Sequence, residues 1–175
     1  MLTVTEASAR ILEGIRPLGV ERVALLDAAG RVLARDAAAP YTLPHWDNSA
    51  MDGYAVRAAD IAGAAAATPV RLTVQETVAA GEFPTRPVRE GIATRIMTGA
   101  PLPDGADTVV RVEDTDGGAE VVEVRDARDS RKNIRPRGED FVAGDTVIPA
   151  GAAIAPAQVG VLASLGLPAV EVHRR

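Results

Sequence analysis

The sequence has no cysteine, which excludes a disulfide framework and any thiolate metal site and leaves the redox compartment open from that side. Its two histidines, His45 and His173, lie far apart in the chain, so a zinc set cannot be assembled. Neither G-x-S-x-G nor H-E-x-x-H occurs, which argues against a hydrolase triad or a zinc protease. Aromatic side chains number only five, so the core must be built from aliphatic residues and backbone. Basic charge is also short. Nineteen Lys and Arg face 24 Asp and Glu, a net charge of -5 with pI near 5.1. A phosphate-backbone binder needs a clustered basic surface, so the charge balance argues against nucleic acid and none is expected as a partner. Lys132 is the single lysine; with 33 alanines this fits a compositional bias of the coding sequence and carries no functional weight.

What is present is a chain of 175 residues, 47% apolar, sized for one medium domain or two small ones. Gly and Pro together number 28, or 16%, against about 12% in average usage. Many turns should break the chain into short elements, which excludes a coiled coil or long helical bundle. Thr146 to Val170 carries no charge and reaches the length of a bilayer span. Pro149, Pro156 and Pro168 with Gly151, Gly160 and Gly166 interrupt it, so it reads as strand, turn and a short buried helix. The helix should start near Pro156, face inward with Val159, Leu162 and Ala163, and close at Gly166. Met1 to Ser8 lacks a basic flank and an apolar run, so no signal peptide is expected and the cytoplasm is the default location.

Thr3 and Glu6 have capping-box spacing ahead of Val4, Ala7, Ile11, Leu12 and Ile15, an apolar stripe at helical period. A helix over 4–15 follows. Glu21 to Leu26 reads as a strand, and Asp27 caps a second helix from Ala28 to Ala34. From Met51 onward the period becomes two. Val70, Leu72 and Val74 alternate with polar residues, as do Val110 with Val112 and Val122 with Val124. With Asp116-Gly117-Gly118 between the last two runs, Val109 to Arg125 predicts a β-hairpin. Ala62 to Ala67 reads as either a helical turn or a loop. Asp126 to Asp140 is dense in charge and reads as an exposed connection, and Phe141 to Ile148 resumes as strand around a turn at Ala143-Gly144-Asp145.

Three constellations could carry chemistry. The first is Pro44-His45-Trp46-Asp47-Asn48-Ser49-Ala50-Met51-Asp52-Gly53-Tyr54-Ala55. Its Asx and Ser side chains could simply fix a loop through local bonds to amides. Alternatively Asp47 and Asp52 could hold a hard cation or orient a water, since Mg2+ favours one or two carboxylates plus phosphate and water. The second runs from Arg95 to Asp107 and contains Met97-Thr98-Gly99-Ala100-Pro101-Leu102-Pro103. It is an ordinary strand-to-loop junction, or a place where Gly99 lets a ligand oxygen approach and Thr98 donates to it. The third is Asn133-Ile134-Arg135-Pro136-Arg137-Gly138-Glu139-Asp140, whose arginines either grip a phosphate or pair with acids on a solvated surface.

In order and spacing these segments, together with Pro149-Ala150-Gly151 through Gly166, resemble the N-terminal region of the MoeA family, the molybdopterin molybdenumtransferases that include the E domain of gephyrin. The resemblance implies a role in molybdenum cofactor biosynthesis. Molybdate is inserted into the dithiolene of molybdopterin, from an adenylylated molybdopterin cleaved with Mg2+. It makes Asp52 and Thr98 the catalytic residues, with Asp52 a possible metal ligand. Asn48, Ser49, Arg137 and Asp140 would contact substrate. It also implies a homodimer, and an encounter with a MogA-like molybdopterin adenylyltransferase; no membrane partner is expected.

The fold expected is α+β, mainly β. Residues 16–46 with 133–155 would form a discontinuous small domain, 47–132 an inserted β-rich domain, and 1–15 and 156–175 flanking helices. Family members continue into a molybdopterin-binding α/β domain and a small β domain, so this chain would hold half of a composite site and be inactive by itself. The competing expectation is a dimerisation or scaffold module without catalysis.

Overall fold

The structure is a computed structural model and describes residues 2–175. Its elements in chain order are α1 (Val4–Glu13), β1 (Val20–Ala24), a 3-10 turn (Leu25–Asp27), β2 (Ala37–Ala38), β3 (Asn48–Ser49), β4 (Gly53–Val56) and α2 (Ala58–Ile61). There follow β5 (Val70–Val78), β6 (Ile92–Ile96), β7 (Thr108–Arg111), a second 3-10 turn (Val112–Asp114), β8 (Val121–Val124), β9 (Ile134–Arg135), β10 (Thr146–Ile148), α3 (Pro156–Ser164) and β11 (Ala169–His173). The architecture is mainly β with short helices. Two compact units form, Met1–Tyr41 with Ala143–Arg175, and Thr42–Val142. The second is an insertion in the first, with joints at 41/42 and 142/143 where the sequence reading placed them at 46/47 and 132/133.

In the discontinuous unit the capping box at α1 is complete: the Thr3 hydroxyl accepts from the Glu6 amide at 3.2 Å, and Glu6 Oε2 accepts from the Thr3 amide at 2.8 Å. No residue of α1 is buried, and Val4, Ile11 and Leu12 are exposed. β1 and β11 pair antiparallel, bringing the two ends of the unit's chain together. The helix expected from Ala28 to Ala34 does not form; only the 3-10 turn at Leu25–Asp27 does. Gly30 adopts φ +74°, and beyond it Val32 and Leu33 bridge to Ala153 and Val172 as extended chain. Extended partners across the unit outweigh a weak local helix preference. α3 starts at Pro156 and closes at Gly166 (φ +73°), but its buried face is Leu162 with Leu165 beyond its end, while Ala163 is exposed. The helix is thus largely solvated rather than buried.

The inserted unit is built on a five-stranded sheet in the order β7-β4-β6-β5-β8, with only β5 and β6 parallel. Both faces are covered. Tyr54, Val56, Leu72, Ala93, Val110, Val122 and Val124 pack on one, and Ala55, Val78, Ile96, Ala100 and Val109 on the other. Every residue of β4 is consequently buried. The hairpin expected over Val109–Arg125 is not a pair of neighbouring strands: β7 and β8 lie on opposite edges of the sheet. Only 114–116 and 123–125 face each other, through the Thr115–Val124 bridge and the Arg125 amide donating to Asp114 O at 2.9 Å. Alternation identified the inward faces, but it does not name the partner strand. Nor is 126–140 simply an exposed connection. Asp129 is buried and accepts from Arg111 Nε at 3.0 Å, and buried Asp114 accepts from Arg111 Nη2 at 2.9 Å and from Arg128.

Among the described residues no helix is long and apolar enough to cross a membrane.

Candidate functional site

The site is carried by a short irregular ladder between 47–52 and 98–102. Its contacts follow one another along both segments. The Leu102 amide donates to Asp47 O at 2.9 Å, the Ser49 amide to Ala100 O at 3.0 Å, and the Gly99 amide to Ser49 O at 2.8 Å. Asn48 bridges Pro101 on this side and pairs with Arg135 of β9 on the other. Gly99 takes φ +83°, a conformation that lets the chain reverse between β6 and the Pro101–Pro103 loop. The three segments singled out from the sequence therefore meet in one unit.

At one end of the ladder, Asp52 Oδ1 accepts both the Thr98 amide and the Thr98 hydroxyl, each at 2.7 Å. These two bonds, with the guanidinium of Arg95 as a weaker contributor, hold the Asp52 carboxyl below the ordinary carboxylate range against a small opposing effect of burial. Asp52 is exposed, and among the described residues nothing donates to its Oδ2. The result is an ionised, oriented carboxylate with one oxygen turned to ligand or solvent.

At the other end Asp47 Oδ1 accepts the Arg137 amide at 2.7 Å, which ties the Pro136–Glu139 turn to the loop. The Arg137 side chain is exposed and makes no ion pair among the described residues. Asn48 is buried, with Nδ2 donating weakly to Trp46 O at 3.4 Å. Ser49 is fully buried, and its hydroxyl donates to Met51 O at 2.5 Å and accepts from the Met51 amide at 3.2 Å, so its chemistry is spent on the turn. Asp140 lies further along, its amide donating to Leu43 O at 3.1 Å, and it makes no contact with Asp52 or Thr98.

Sequence reasoning assigned no role to Arg95. It follows Thr94 on β6 opposite Tyr54 of β4, donates to the Tyr54 hydroxyl and to Gly117 O at 3.3 Å each, and sits 5.7 Å from the Tyr54 ring centroid. An arginine in a strand that ends in a candidate site was the available signal.

No group of three or more His, Cys, Asp or Glu suited to a metal ion exists among the described residues. A protein cage for a cation is absent there, but a Mg2+ that keeps its waters and takes phosphate oxygens needs only one or two carboxylates, and the open Oδ2 of Asp52 fits that role.

With this geometry in place, comparison with known proteins is decisive: residues 2–166 match the MoeA N-terminal region (domain I and II). The chain belongs to the MoeA N-terminal family. It is 45% identical over its whole length to "Molybdopterin molybdenumtransferase 2" of Mycobacterium tuberculosis, of which it covers 43%. It is 43% identical over 152 residues, or 86% of this chain, to the molybdopterin molybdenumtransferase of Synechococcus elongatus, of which it covers 38%. The crystal structure of a molybdopterin biosynthesis moeA protein from Pyrococcus horikoshii superposes with a TM-score of 0.88 at 34% identity, over 98% of this chain and 46% of that one. The chain thus spans less than half the length of the MoeA relatives it matches.

Proposed function

We propose that this chain is the N-terminal part of a molybdenum cofactor biosynthesis enzyme, a transferase that inserts molybdate into adenylylated molybdopterin, and that it contributes Asp52 and Thr98 to that site. The observation that carries the reading is the double donation of Thr98 to one oxygen of an ionised Asp52. Splitting a phosphoanhydride calls for a fixed carboxylate that positions a cation or a water, and for hydroxyl and guanidinium donors near phosphate. Asp52 is held in one orientation at no cost to its outer oxygen. Thr98 Oγ1 keeps acceptor capacity after donating to Asp52. Arg137, placed by its amide on Asp47, extends an unpaired guanidinium suited to a phosphate oxygen. Mg2+, when bound at Asp52 with phosphate, would neutralise charge that develops on the leaving group. Asn48 and Ser49 act as positioning residues, through the ladder and the turn at Met51. The names of the relatives, which specify molybdopterin and molybdenum transfer, support the substrate class.

The test uses a full-length protein containing this region. Asp52→Asn keeps the acceptor for Thr98 but removes the charge, and should lower molybdate-dependent turnover by about 10²- to 10³-fold with unchanged Trp46 fluorescence. Turnover equal to the parent would refute the role of Asp52.

A second reading has its own observation. The stripe of α1, with Val4, Ile11 and Leu12 exposed and no residue buried, suits an interaction module that pairs with a second copy and does no chemistry alone. Light scattering on the 175 residues addresses it, and a strict monomer at high concentration counts against it.

A further inference from the structure

Three segments of the inserted unit meet at the far end of the same ladder, and backbone bonds fix them there. The Leu102 amide on Asp47 O joins 101–102 to 46–47. The Val88 amide donates to Asp104 O at 2.8 Å, and Gly105, at φ +82°, permits that approach, since a Cβ there would lie 2.3 Å from Val88 O. The 79–87 loop is held by Glu76, whose carboxylate accepts the Thr85 amide and hydroxyl at 3.1 and 2.6 Å and the Arg86 amide at 3.1 Å. Between these segments opens a cleft of about 310 Å3, lined by Trp46, Phe83, Arg86, Pro101, Leu102 and Asp104 among others. Trp46 and Phe83 meet edge to face with centroids 4.8 Å apart, yet Phe83 remains 62% and Trp46 36% exposed. Two of the five aromatic residues of the chain thus stand together at a surface instead of in the core. Asp104 is exposed and makes no ion pair among the described residues.

We infer that this cleft is an interaction surface that takes an arginine side chain presented on an extended segment of a partner protein. A guanidinium lies over indole and phenyl faces by cation–π attraction, best of all over Trp, and is easier to strip of water than an ammonium. Asp104 lines the same cleft and offers a carboxylate without a counter-ion, which a planar guanidinium meets with two parallel N–H bonds. Arg86 does not fill that place. It forms no ion pair with Asp104, and its Nη1 donates instead to Gln75 O at 3.4 Å, so its other N–H groups are left for backbone carbonyls of the docked segment. A purely apolar partner would bury the Asp104 charge unpaired, and an anionic one would be repelled by it.

The surface is also preorganised. The backbone bonds behind the 79–87 loop, with Pro84, Pro87 and Pro101 in the cleft walls, leave little freedom to be lost on binding. Fixed aromatic side chains beside an unpaired charge have the make-up of an interface hot spot. The net charge of -5 draws a basic partner from a distance. Neither Asp52 nor Thr98 lines the cleft, so its occupation does not depend on the function proposed above.

Trp46 is the only tryptophan, so its indole N–H gives a single, assigned NMR signal. The labelled 175-residue chain is titrated with the capped peptide acetyl-Ala-Pro-Arg-Pro-Ala-amide and, separately, with the same peptide carrying citrulline, the uncharged isostere, in place of arginine. Each is taken to about 10 mM, a range that captures weak sites. The arginine peptide should give saturable shifts of the Trp46 indole and of the Thr85 and Arg86 amides, and the citrulline peptide should bind at least about tenfold more weakly. Asp104→Asn, which keeps the shape and removes the charge, should weaken the arginine peptide about tenfold, and Phe83→Ala should weaken it as well. Both side chains are exposed, so neither variant threatens the fold. No saturable shift with the arginine peptide, equal binding of the citrulline peptide, or unchanged affinity in both variants overturns the inference. The same shifts appearing on concentration of the chain alone would assign the surface to a second copy and overturn the separate partner. Retained turnover in the full-length Asp52→Asn protein would overturn the proposed function and leave this surface standing.

Discussion

Replacing Gly53 with alanine adds one methyl group at the point where β4 meets β7. An ideal Cβ there would lie 1.9 Å from the carbonyl oxygen of Val110 and 2.9 Å from its carbonyl carbon. Real Cβ atoms do not approach backbone closer than 3.0 Å, so the two strands must separate by more than an ångström. Gly53 is not in the left-handed region, hence the penalty is steric and not conformational. Overpacking of this kind costs about 1–3 kcal/mol. Loss of one or two hydrogen bonds between β4 and β7 adds about 1 kcal/mol each, and the stiffer unfolded chain returns about 0.4–1 kcal/mol. The net destabilisation of the inserted unit is about 3 kcal/mol. With a urea slope of about 2 kcal/mol/M, the midpoint should fall by about 1.5 M when unfolding is followed by Trp46 fluorescence, which reports on that unit alone. Gly63→Ala is the control, because nothing lies within 4 Å of its added Cβ; it should change stability by no more than about 0.5 kcal/mol. A midpoint shift for Gly53→Ala below about 0.5 M would show that the sheet yields easily at this point and would refute the reasoning.

Two further predictions concern the same region. Thr98→Val removes the hydroxyl donor to Asp52 and leaves the amide donor, so the Asp52 carboxyl should titrate higher than in the parent in a 13C NMR titration, and an unchanged value would show that the hydroxyl bond is not formed. Because the folded carboxyl lies below its unfolded value, its stabilising contribution is complete above the unfolded pKa and is lost as pH falls through the folded one; Asp52→Asn should therefore lower stability at neutral pH, change it little below the folded pKa, and so flatten the acid limb of the stability curve. Tyr54→Phe deletes a fully buried hydroxyl that donates to Gly118 O at 2.9 Å and accepts from Arg95 Nη1, and should destabilise the inserted unit by about 1–2 kcal/mol in urea unfolding. A neutral result would mean that water replaces the hydroxyl.

The sequence by itself determined what is local. The capping box at Thr3 and Glu6, the start of α3 at Pro156, its end at Gly166 and the strand periods around Val70, Val110 and Val122 each depend on neighbours within a few residues. Motif order over the whole chain carried the family resemblance, and with it Asp52 and Thr98 as candidates 46 residues apart that the fold places in direct contact. Tertiary structure decided the rest. It put β7 and β8 on opposite edges of one sheet, because a period of two records which face is apolar and not which strand lies alongside. It made 28–34 a turn at Gly30 followed by extended chain, because Val32 and Leu33 find bridging partners in distant segments, Ala153 and Val172. It spent Ser49 on the turn at Met51, buried Asp129 against Arg111, and gathered Trp46, Phe83 and Asp104 around one cleft. Each of these outcomes depends on residues distant in sequence meeting in space, and the energy of such a meeting is written in no single segment of the chain.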